Sequence, residues 1–448
     1  MKQHFETIQK TDLKVTTGPA AAASSPAARA VPQRAQHIAF YLEDLRGGGV
    51  QRMTLIIAGA LAERGHRVEL VTCSREGPLY NQIPAKVKCH ELEAAPDLLA
   101  RAYALAADPG GLGVMLRPLL LPCKLPRTLC YLPALARYLR REQPDALFAA
   151  TPYLNIVAVL ARRLAGATTR LVISERTHLS TNLAHSGGGS NDWRRRYLPP
   201  LMQHAYLQAD AIVAVSDGVA DDLAAHIDIP RQTITRIYNP TLLPDLPDRA
   251  KEPAEHPWFA PGAPPVVLSV GRLGRQKDFP TLLRAFAQVR ATRPLRLMIL
   301  GEASDPGEQD DRQAKLTALA DELGITADLA LMGFVSNPFA YMARSAVLVL
   351  SSVHEGFPNV LVEAMACGCP VVSTDCPSGP AEILDNGRFG PLVPVGDEVA
   401  MAKAIGAVLD HPLTKEQLRA RAALFSFDQA INSYEAILLG KDLLQSMP

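Results

Sequence analysis

Short apolar runs alternate with longer amphipathic segments along most of the chain. The apolar runs, which are typical of buried parallel strands, lie at residues 37–42, 67–72, 146–150, 170–174, 211–216, 266–271, 295–301, 329–335, 346–350 and 370–374. Amphipathic segments follow them, for example at 50–64, where Gly65 is suited to end a helix. This alternation of strands and helices predicts an α/β protein built on parallel sheets.

A proline-rich stretch divides the strands into two groups. Residues 241–265 contain seven prolines, which indicates a stiff linker. A chain of 448 residues is long enough for two domains that each bury a core. We therefore predict two Rossmann-like, doubly wound domains. The predicted parts are a disordered low-complexity tail at 1–36, an N-terminal domain at 37–240, the linker at 241–264, a C-terminal domain at 265–425, and a final helix at 426–448.

The composition excludes few classes of protein, but the charge distribution and the cysteine content are both informative. The net charge of +1 gives no bulk attraction to nucleic acid, although residues 1–250 carry seven more basic than acidic residues and the remainder carries six fewer. A basic first half suggests an anionic surface or acceptor. Seven cysteines with scattered spacing favour a reducing compartment over a disulfide framework, and we interpret Cys367 and Cys369 as packing residues.

The stretch 351–374 carries the most specific chemistry. An apolar strand is followed by a turn at Gly356 and by a helix that we expect to start at Pro358, with no capping side chain because Phe357 precedes the proline. The first amide groups of this helix, those of Asn359, Val360 and Leu361, are then free to bind an anion.

Charged residues surround this helix start in the sequence. Glu355 and Glu363 bracket it, and carboxylates of this kind can accept hydrogen bonds from the hydroxyls of a sugar and a ribose. Arg272 and Lys277 lie five positions apart beside a glycine turn and could clamp a diphosphate. Taken one at a time, residues of these types are more often ordinary solvated charges, and it is their surroundings in the sequence that favour a binding role.

Three segments carry a family resemblance. Residues 354–372 resemble the Glu-x7-Glu signature of the family-4 retaining glycosyltransferases of GT-B fold, and residues 269–279 are similar to the family's diphosphate-binding loop. Residues 376–384 resemble a loop of members that use UDP-hexose or UDP-N-acetylhexosamine donors. The resemblance extends over residues 37–440. It implies the GT-B architecture, in which the two Rossmann-like domains face each other across a cleft and the final helix crosses back to the first domain.

The resemblance implies roles for particular residues. The implied catalytic residues are Glu355, Arg272, Lys277 and His178. The implied donor-binding residues are Gly48, Gly49, Arg272, Lys277, Phe334, Val335, Glu355, Gly356, Phe357, Asn359, Val360, Leu361 and Glu363. Two of these assignments have open alternatives: the glycines could form only a flexible turn, and His178 could be structural, since family members often carry the cleft histidine on the loop that here reads 151–153 and has none.

A second unusual segment, residues 113–141, mixes apolar residues with basic ones such as Arg117 and Lys124 and with four prolines. This pattern does not favour a membrane span. It fits a segment that lies on an anionic membrane surface and equally a helix packed on its own domain with its arginines outward. We accordingly expect a cytoplasmic protein that contacts the inner face of the cytoplasmic membrane if the first interpretation holds.

The predicted function is transfer of a hexose or N-acetylhexosamine from a nucleotide sugar, UDP-linked by resemblance, to a glycan or polyprenyl-diphosphate-linked acceptor. We expect no cofactor and no metal, because the chain has no Asp-x-Asp and supplies fixed cations instead. Retention of anomeric configuration is implied by the resemblance alone. A GT-B-fold sugar-nucleotide epimerase and a non-catalytic sugar-nucleotide-binding protein remain alternatives, whereas a nicotinamide dehydrogenase would need a glycine fingerprint that is absent.

Overall fold

The computed structural model describes residues 34–121, 125–185, 192–303 and 306–441. The predicted tail therefore lies outside the described residues up to position 33, as do Lys124 and the last residues, 442–448, of the predicted C-terminal stretch.

The first sheet has seven parallel strands in the order β3-β2-β1-β4-β5-β6-β7. Its strands are β1 (His37–Leu42), β2 (Arg67–Thr72), β3 (Lys88–Glu91), β4 (Ala146–Ala150), β5 (Arg170–Glu175), β6 (Ala211–Ala214) and β7 (Ile234–Arg236). The chain order reverses between β1 and β4, which pair in register from Ile38 with Ala146. In open α/β sheets such a reversal leaves a crevice at the carboxyl ends of the strands.

The second sheet repeats this arrangement with six parallel strands in the order β10-β9-β8-β11-β12-β13. Its strands are β8 (Val266–Val270), β9 (Arg296–Leu300), β10 (Leu329–Leu331), β11 (Val347–Leu350), β12 (Val371–Thr374) and β13 (Leu392–Val393). The central strands are fully buried and rich in valine, leucine and isoleucine, as expected for a parallel sheet covered on both faces. The prediction of two doubly wound parallel sheets is confirmed.

Helices cover both faces of each sheet. They are α1 (Gly49–Glu63), α2 (Asp97–Ala107), α3 (Leu112–Met115), α4 (Leu132–Glu142), α5 (Pro152–Ala165), α6 (Leu179–His185), α7 (Asp192–Tyr206), α8 (Asp217–Ile227), α9 (Leu246–Arg249), α10 (Phe279–Arg290), α11 (Gln309–Glu322), α12 (Pro338–Met342), α13 (Asn359–Cys367), α14 (Pro380–Ile383), α15 (Glu398–Asp410), α16 (Lys415–Ala422) and α17 (Phe427–Leu438). A π-helical turn, Leu116–Leu120, continues α3.

The proline-rich segment between the sheets is bound to the second domain. Arg344 donates hydrogen bonds to the carbonyl oxygens of Ala250 and Lys251, and Asn337 donates to that of Arg249. These contacts satisfy backbone carbonyls of a segment that includes the short helix α9. The segment is therefore ordered by side chains of the domain that follows it.

The last described helix, α17, packs on the first sheet. Arg170 Nε donates to the carbonyl oxygen of Ile437 at 2.8 Å, and the Tyr434 ring meets that of Phe148 edge to face at 6.0 Å. Glu435 is bonded to Arg64 and lies 3.3 Å from His66 Nε2. Helix α17 thus places residues from the end of the chain in the core of the first domain.

Candidate active site

The loops at the carboxyl ends of the two sheets touch each other. Ser216 Oγ, which follows β6, donates to the carbonyl oxygen of Gly356 at 2.8 Å. A Cβ at Gly356 would lie 2.0 Å from the carbonyl oxygen of Arg176, just after β5. Only glycine allows this approach, so the turn after β11 packs directly against the first domain.

Lys277 and Glu355 form an ion pair at this junction. Lys277 Nζ lies 2.6 Å from Glu355 Oε1, which also accepts a 2.6 Å hydrogen bond from Ser352 Oγ. Glu355 is only 8% exposed, and the Lys277 side chain packs over Gly271, where a Cβ would be 2.8 Å from Lys277 Cε. The sequence predicts both residues at one site, and the structure adds that they are bonded directly to each other.

Backbone contacts hold the two charged loops together. Val353 N donates to the carbonyl oxygen of Gln276 at 2.8 Å, and Gln276 Nε2 donates to that of His354 at 2.7 Å. Ser351 Oγ donates to the carbonyl oxygen of Lys277 at 2.6 Å. The position of the ion pair is therefore fixed by loop-to-loop hydrogen bonds.

Arg272 extends toward the start of α1 in the first domain. It is exposed, and a Cβ at Gly48 would lie 3.9 Å from Arg272 Nη1. Gly48 has a φ of +142° and precedes Gly49, the first residue of α1, without any capping side chain. The positive end of α1 thus lies beside Arg272.

Helix α13 begins at Asn359, one residue later than predicted, and Pro358 is the residue before it, with no side-chain cap. Within the described residues the amides of Asn359 and Val360 have no acceptor. The expectation that the Leu361 amide is also free was wrong, because it donates to the carbonyl oxygen of Pro358 at 3.0 Å in a tight first turn.

The side chain of Asn359 connects α13 to the segment that leaves the first domain. Asn359 Oδ1 accepts from Asn239 Nδ2 at 2.8 Å and from Thr241 Oγ1 at 3.2 Å. Asn239 Oδ1 in turn accepts from Arg176 Nη1 at 2.7 Å. This hydrogen-bond chain fixes the start of α13 relative to the first sheet, and no sequence pattern predicts it.

Glu363 lies one turn into α13 and is partly exposed. Burial raises the pKa of its carboxyl, while the positive charges of Arg52 on α1 and of Arg249 act in the opposite direction. Glu363 is thus within electrostatic reach of the helix that begins at Gly49.

The loop after β10 contains Phe334 and Val335, which the sequence predicts to contact a base. Phe334 is 68% exposed, and its amide donates to Glu302 Oε1 at 3.1 Å. Val335 is partly buried. A base that binds the Phe334 amide must therefore displace the Glu302 carboxylate.

His178 lies after β5, beside the Gly356 turn, where Thr177 Cα would be 3.3 Å from a Cβ at Gly356. Its Nδ1 is 2.8 Å from Thr181 Oγ1, 3.1 Å from Ser180 Oγ and 3.5 Å from a carboxylate oxygen of Asp222. Desolvation lowers the pKa of His178, which favours the neutral imidazole. Its ring is therefore held by neighbours of its own domain.

Glu382 forms a contact between the domains that sequence reasoning missed. Its Oε1 accepts from the Asp217 amide at 2.7 Å, so a carboxylate of the second domain caps α8 of the first. Burial raises the pKa of Glu382 to about 7, and the negative charge of Asp217 acts in the same direction. The sequence signal for this residue is the segment 376–384, which resembles a loop of the family, although that resemblance implies no role for its glutamate.

A cavity of about 600 Å³ lies at the other end of α13, away from these residues. It is lined by Leu246, Pro247, Ala250, Lys251, Ala343, Arg344, Ala366, Cys367, Lys415 and Arg419. None of the predicted site residues borders it. Among the described residues, no group of three or more histidine, cysteine, aspartate or glutamate side chains has the arrangement of a metal site.

Two doubly wound parallel domains with facing loops define the GT-B architecture, and solved structures support this. HepE from Anabaena, in complex with UDP and glucose, superposes with a TM-score of 0.68 at 20% identity over 90% of this chain and 99% of that one. The apo form of the lipopolysaccharide outer core galactosyltransferase WaaB gives 0.63 at 21% identity, over 90% and 99%. These likenesses show the fold.

The sequence comparisons define the family. Residues 47–241 match the model described as Glycosyltransferase Family 4, and residues 264–411 match that of Glycosyl transferases group 1. A Campylobacter jejuni relative, N-acetylgalactosamine-N,N'-diacetylbacillosaminyl-diphospho-undecaprenol 4-alpha-N-acetylgalactosaminyltransferase, is 34% identical over 269 residues, which are 60% of this chain and 68% of that protein. The lipopolysaccharide core biosynthesis glycosyltransferase LpsE of Rhizobium meliloti is 26% identical over 404 residues, covering 88% and 97%. The chain belongs to the group 1, family 4 glycosyltransferases.

Proposed function

We propose that this glycosyltransferase moves a hexose or N-acetylhexosamine from a UDP-sugar to a glycan or lipid-linked acceptor, with retention of configuration and without a metal. The observation that carries the proposal is the arrangement around the Lys277–Glu355 pair. Two cations and the uncapped start of α13 belong to the second domain, and the uncapped start of α1 faces Arg272 from the first domain.

This arrangement is suited to a diphosphate. When the bond between the sugar C1 and the diphosphate breaks, the electron pair leaves with the phosphate oxygen, and negative charge grows there. Arg272, Lys277 and the amides of Asn359 and Val360 would donate hydrogen bonds to that oxygen. Lys277 would then share its charge between the diphosphate and Glu355, to which it is bonded at 2.6 Å.

The remaining residues receive roles from their positions. Glu363 would accept hydrogen bonds from the ribose hydroxyls, the loop at Phe334 and Val335 would contact the base, and Glu355 would lie beside the transferred sugar. The acceptor oxygen forms the new bond to C1 on the face that the diphosphate leaves, and a donor phosphate oxygen takes its proton. His178 would border this region as a neutral hydrogen-bonding group.

The relatives support the choice of acceptor. The Campylobacter jejuni relative is named for an acceptor attached to undecaprenol through a diphosphate, and LpsE is named for lipopolysaccharide core biosynthesis. Both acceptor types carry lipid and negative charge, to which the basic excess of residues 1–250 is complementary.

The direct test is a matrix of donors and acceptors. The purified protein is incubated with UDP-, GDP- and ADP-linked hexoses and N-acetylhexosamines, with and without polyprenyl-diphosphate-linked glycans, and products are detected by mass spectrometry. We expect an extended glycan from a UDP-sugar only when acceptor is present, and unchanged turnover in EDTA. An altered sugar nucleotide formed without acceptor would identify an isomerase instead, and loss of turnover in EDTA would contradict metal independence.

A further inference from the structure

Helix α2 has an unusual outward face. Ala100, Ala104 and Ala107 are buried against the domain, whereas the opposite side exposes Leu98, Ala102, Leu105 and Ala106. Leu98 is 82% exposed. A surface helix normally carries polar residues on the side away from the core. An apolar outward face is therefore typical of a surface that binds another protein or a membrane.

The neighbouring segment continues this surface. Leu112, Leu116 and Leu121 are exposed on α3 and the π-helical turn that follows it. Arg101 of α2 donates to the carbonyl oxygens of Leu119 and Leu120, which holds the turn beside the helix. We call the exposed leucines of the two segments the leucine face: Leu98, Leu99, Leu105, Leu112, Leu116 and Leu121.

Arginines border the leucine face. Arg117 and Arg196, both exposed, lie over the ring of Tyr197 on α7, with guanidinium carbons 5.2 and 5.7 Å from its centroid. Arg127 is exposed at the start of the next turn. Exposed carboxylates also occur in this part of the chain, at Glu91, Glu93 and Asp97. Basic residues beside exposed leucines are complementary to an anionic lipid surface.

The rest of the segment singled out in the sequence has a different role. In α4, Leu132, Leu135 and Leu139 are fully buried in the domain, while Arg137 and Arg140 point outward. This half matches the alternative of a helix packed on its own domain. The surface that could contact a bilayer is therefore formed by residues 98–121 and includes α2, which the sequence did not indicate.

We propose that the leucine face docks on an anionic lipid bilayer, with Leu98, Leu105 and Leu121 entering the headgroup region and Arg117 and Arg196 contacting lipid phosphates. The proposal rests on the proposed function, because a lipid-linked acceptor presents its diphosphate at the bilayer surface. Within the described residues, no helix combines the length and the apolar character needed to cross a bilayer. Docking would bring the first domain to the acceptor.

The test measures binding to lipid vesicles by sedimentation. Full-length protein is mixed with phosphatidylcholine vesicles and with vesicles that also contain phosphatidylglycerol. We expect the wild type to bind the anionic vesicles. The double variant Leu98→Asn with Leu105→Asn should have a partition coefficient roughly a hundredfold lower, because replacing each leucine lowers the coefficient by about tenfold. Arg117→Gln with Arg196→Gln should lose roughly tenfold on anionic vesicles only.

The control is Leu424→Asn, an exposed leucine of the second domain, which should bind as the wild type does. UDP affinity is measured on every variant and should not change. Wild-type protein that ignores anionic vesicles, or leucine variants that bind them equally, would overturn the docking proposal. So would a wild-type dimer in lipid-free solution that the leucine variants abolish, because a second copy would then cover the face. Absence of UDP binding with intact vesicle binding would instead contradict the proposed function.

Discussion

Lys277 and Glu355 form a nearly buried ion pair, and a diphosphate that binds Lys277 must add negative charge beside Glu355. That repulsion would have to be offset by other donors, for which Arg272 and the uncapped amides of α13 are the candidates. Glu355 also fixes the position of Lys277 through their 2.6 Å contact. A buried pair of this kind favours a fixed geometry over maximal stability.

The substitution Glu355→Gln removes the negative charge of this side chain and keeps its shape, so its effects on turnover and on UDP affinity can be measured separately. We expect turnover to fall by about a hundredfold or more, because in the proposed function this carboxylate would lie beside the transferred sugar. UDP affinity should be unchanged or higher, since the amide no longer repels the diphosphate or competes for Lys277. Steady-state kinetics and calorimetric titration with UDP measure the two quantities.

Glu322→Gln, an exposed glutamate on α11, is the matched control and should change neither quantity. Glu363→Ala should show the opposite pattern and weaken UDP itself. Wild-type turnover in Glu355→Gln would remove this residue from the chemistry.

The elements of the fold were largely predictable because buried parallel strands and amphipathic helices have strong local patterns. The strands at 37–42, 67–72 and 146–150 were predicted with the bounds observed. Helix α1 begins one residue earlier than predicted, and α13 begins one residue later. Terminal turns depend on cap geometry, which the sequence alone does not determine.

Contacts between the elements were not predictable to the same degree. Asn239 and Asn359 are separated by 120 positions, and nothing in the motif around Asn359 indicates Asn239 as its partner. Glu382 bonds to the amide of Asp217, which is 165 positions away. Such pairs depend on how two finished domains approach each other, and a single sequence carries no local signal for that.

Because Glu382 of α14 caps α8, its protonation affects the contact between two elements. Burial raises its pKa from 4.5 to about 7, so the folded protein holds this proton more tightly than the unfolded chain. The stability that this group contributes is complete below a pH of about 4.5 and is lost as pH rises through about 7.

Glu382→Gln should therefore match the wild type in free energy of unfolding at about pH 4 and exceed it at about pH 8. Denaturant unfolding at the two pH values checks this, with Glu322→Gln as the control. Glu175 has a pKa raised to about 7 as well, but it is present in both proteins and cancels in the comparison. A difference that is the same at both pH values would contradict the assignment.

At the scale of the whole molecule, the proposed function assigns donor binding mainly to one domain and acceptor binding to the other. In the proposed function, the second domain would bind the donor through Arg272, Lys277 and the start of α13. The first domain would contribute the start of α1, and its leucine face would meet a lipid-linked acceptor at the bilayer. Aromatic packing joins them, since the rings of Tyr238, Phe357 and Phe425 have centroids 5.0–5.6 Å apart. The helix that would bind the phosphates is thus part of the junction between the domains.

The most direct measurement is calorimetric titration of UDP, UMP and uridine into the wild type and into Lys277→Ala, with Arg275→Ala, an exposed neighbour, as the control. We predict that the wild type binds UDP more tightly than UMP and uridine, and that Lys277→Ala weakens UDP by about tenfold to a hundredfold, the equivalent of one charge-assisted hydrogen bond. Arg275→Ala should leave UDP affinity unchanged. Equal affinity of the wild type and Lys277→Ala for UDP would contradict the account.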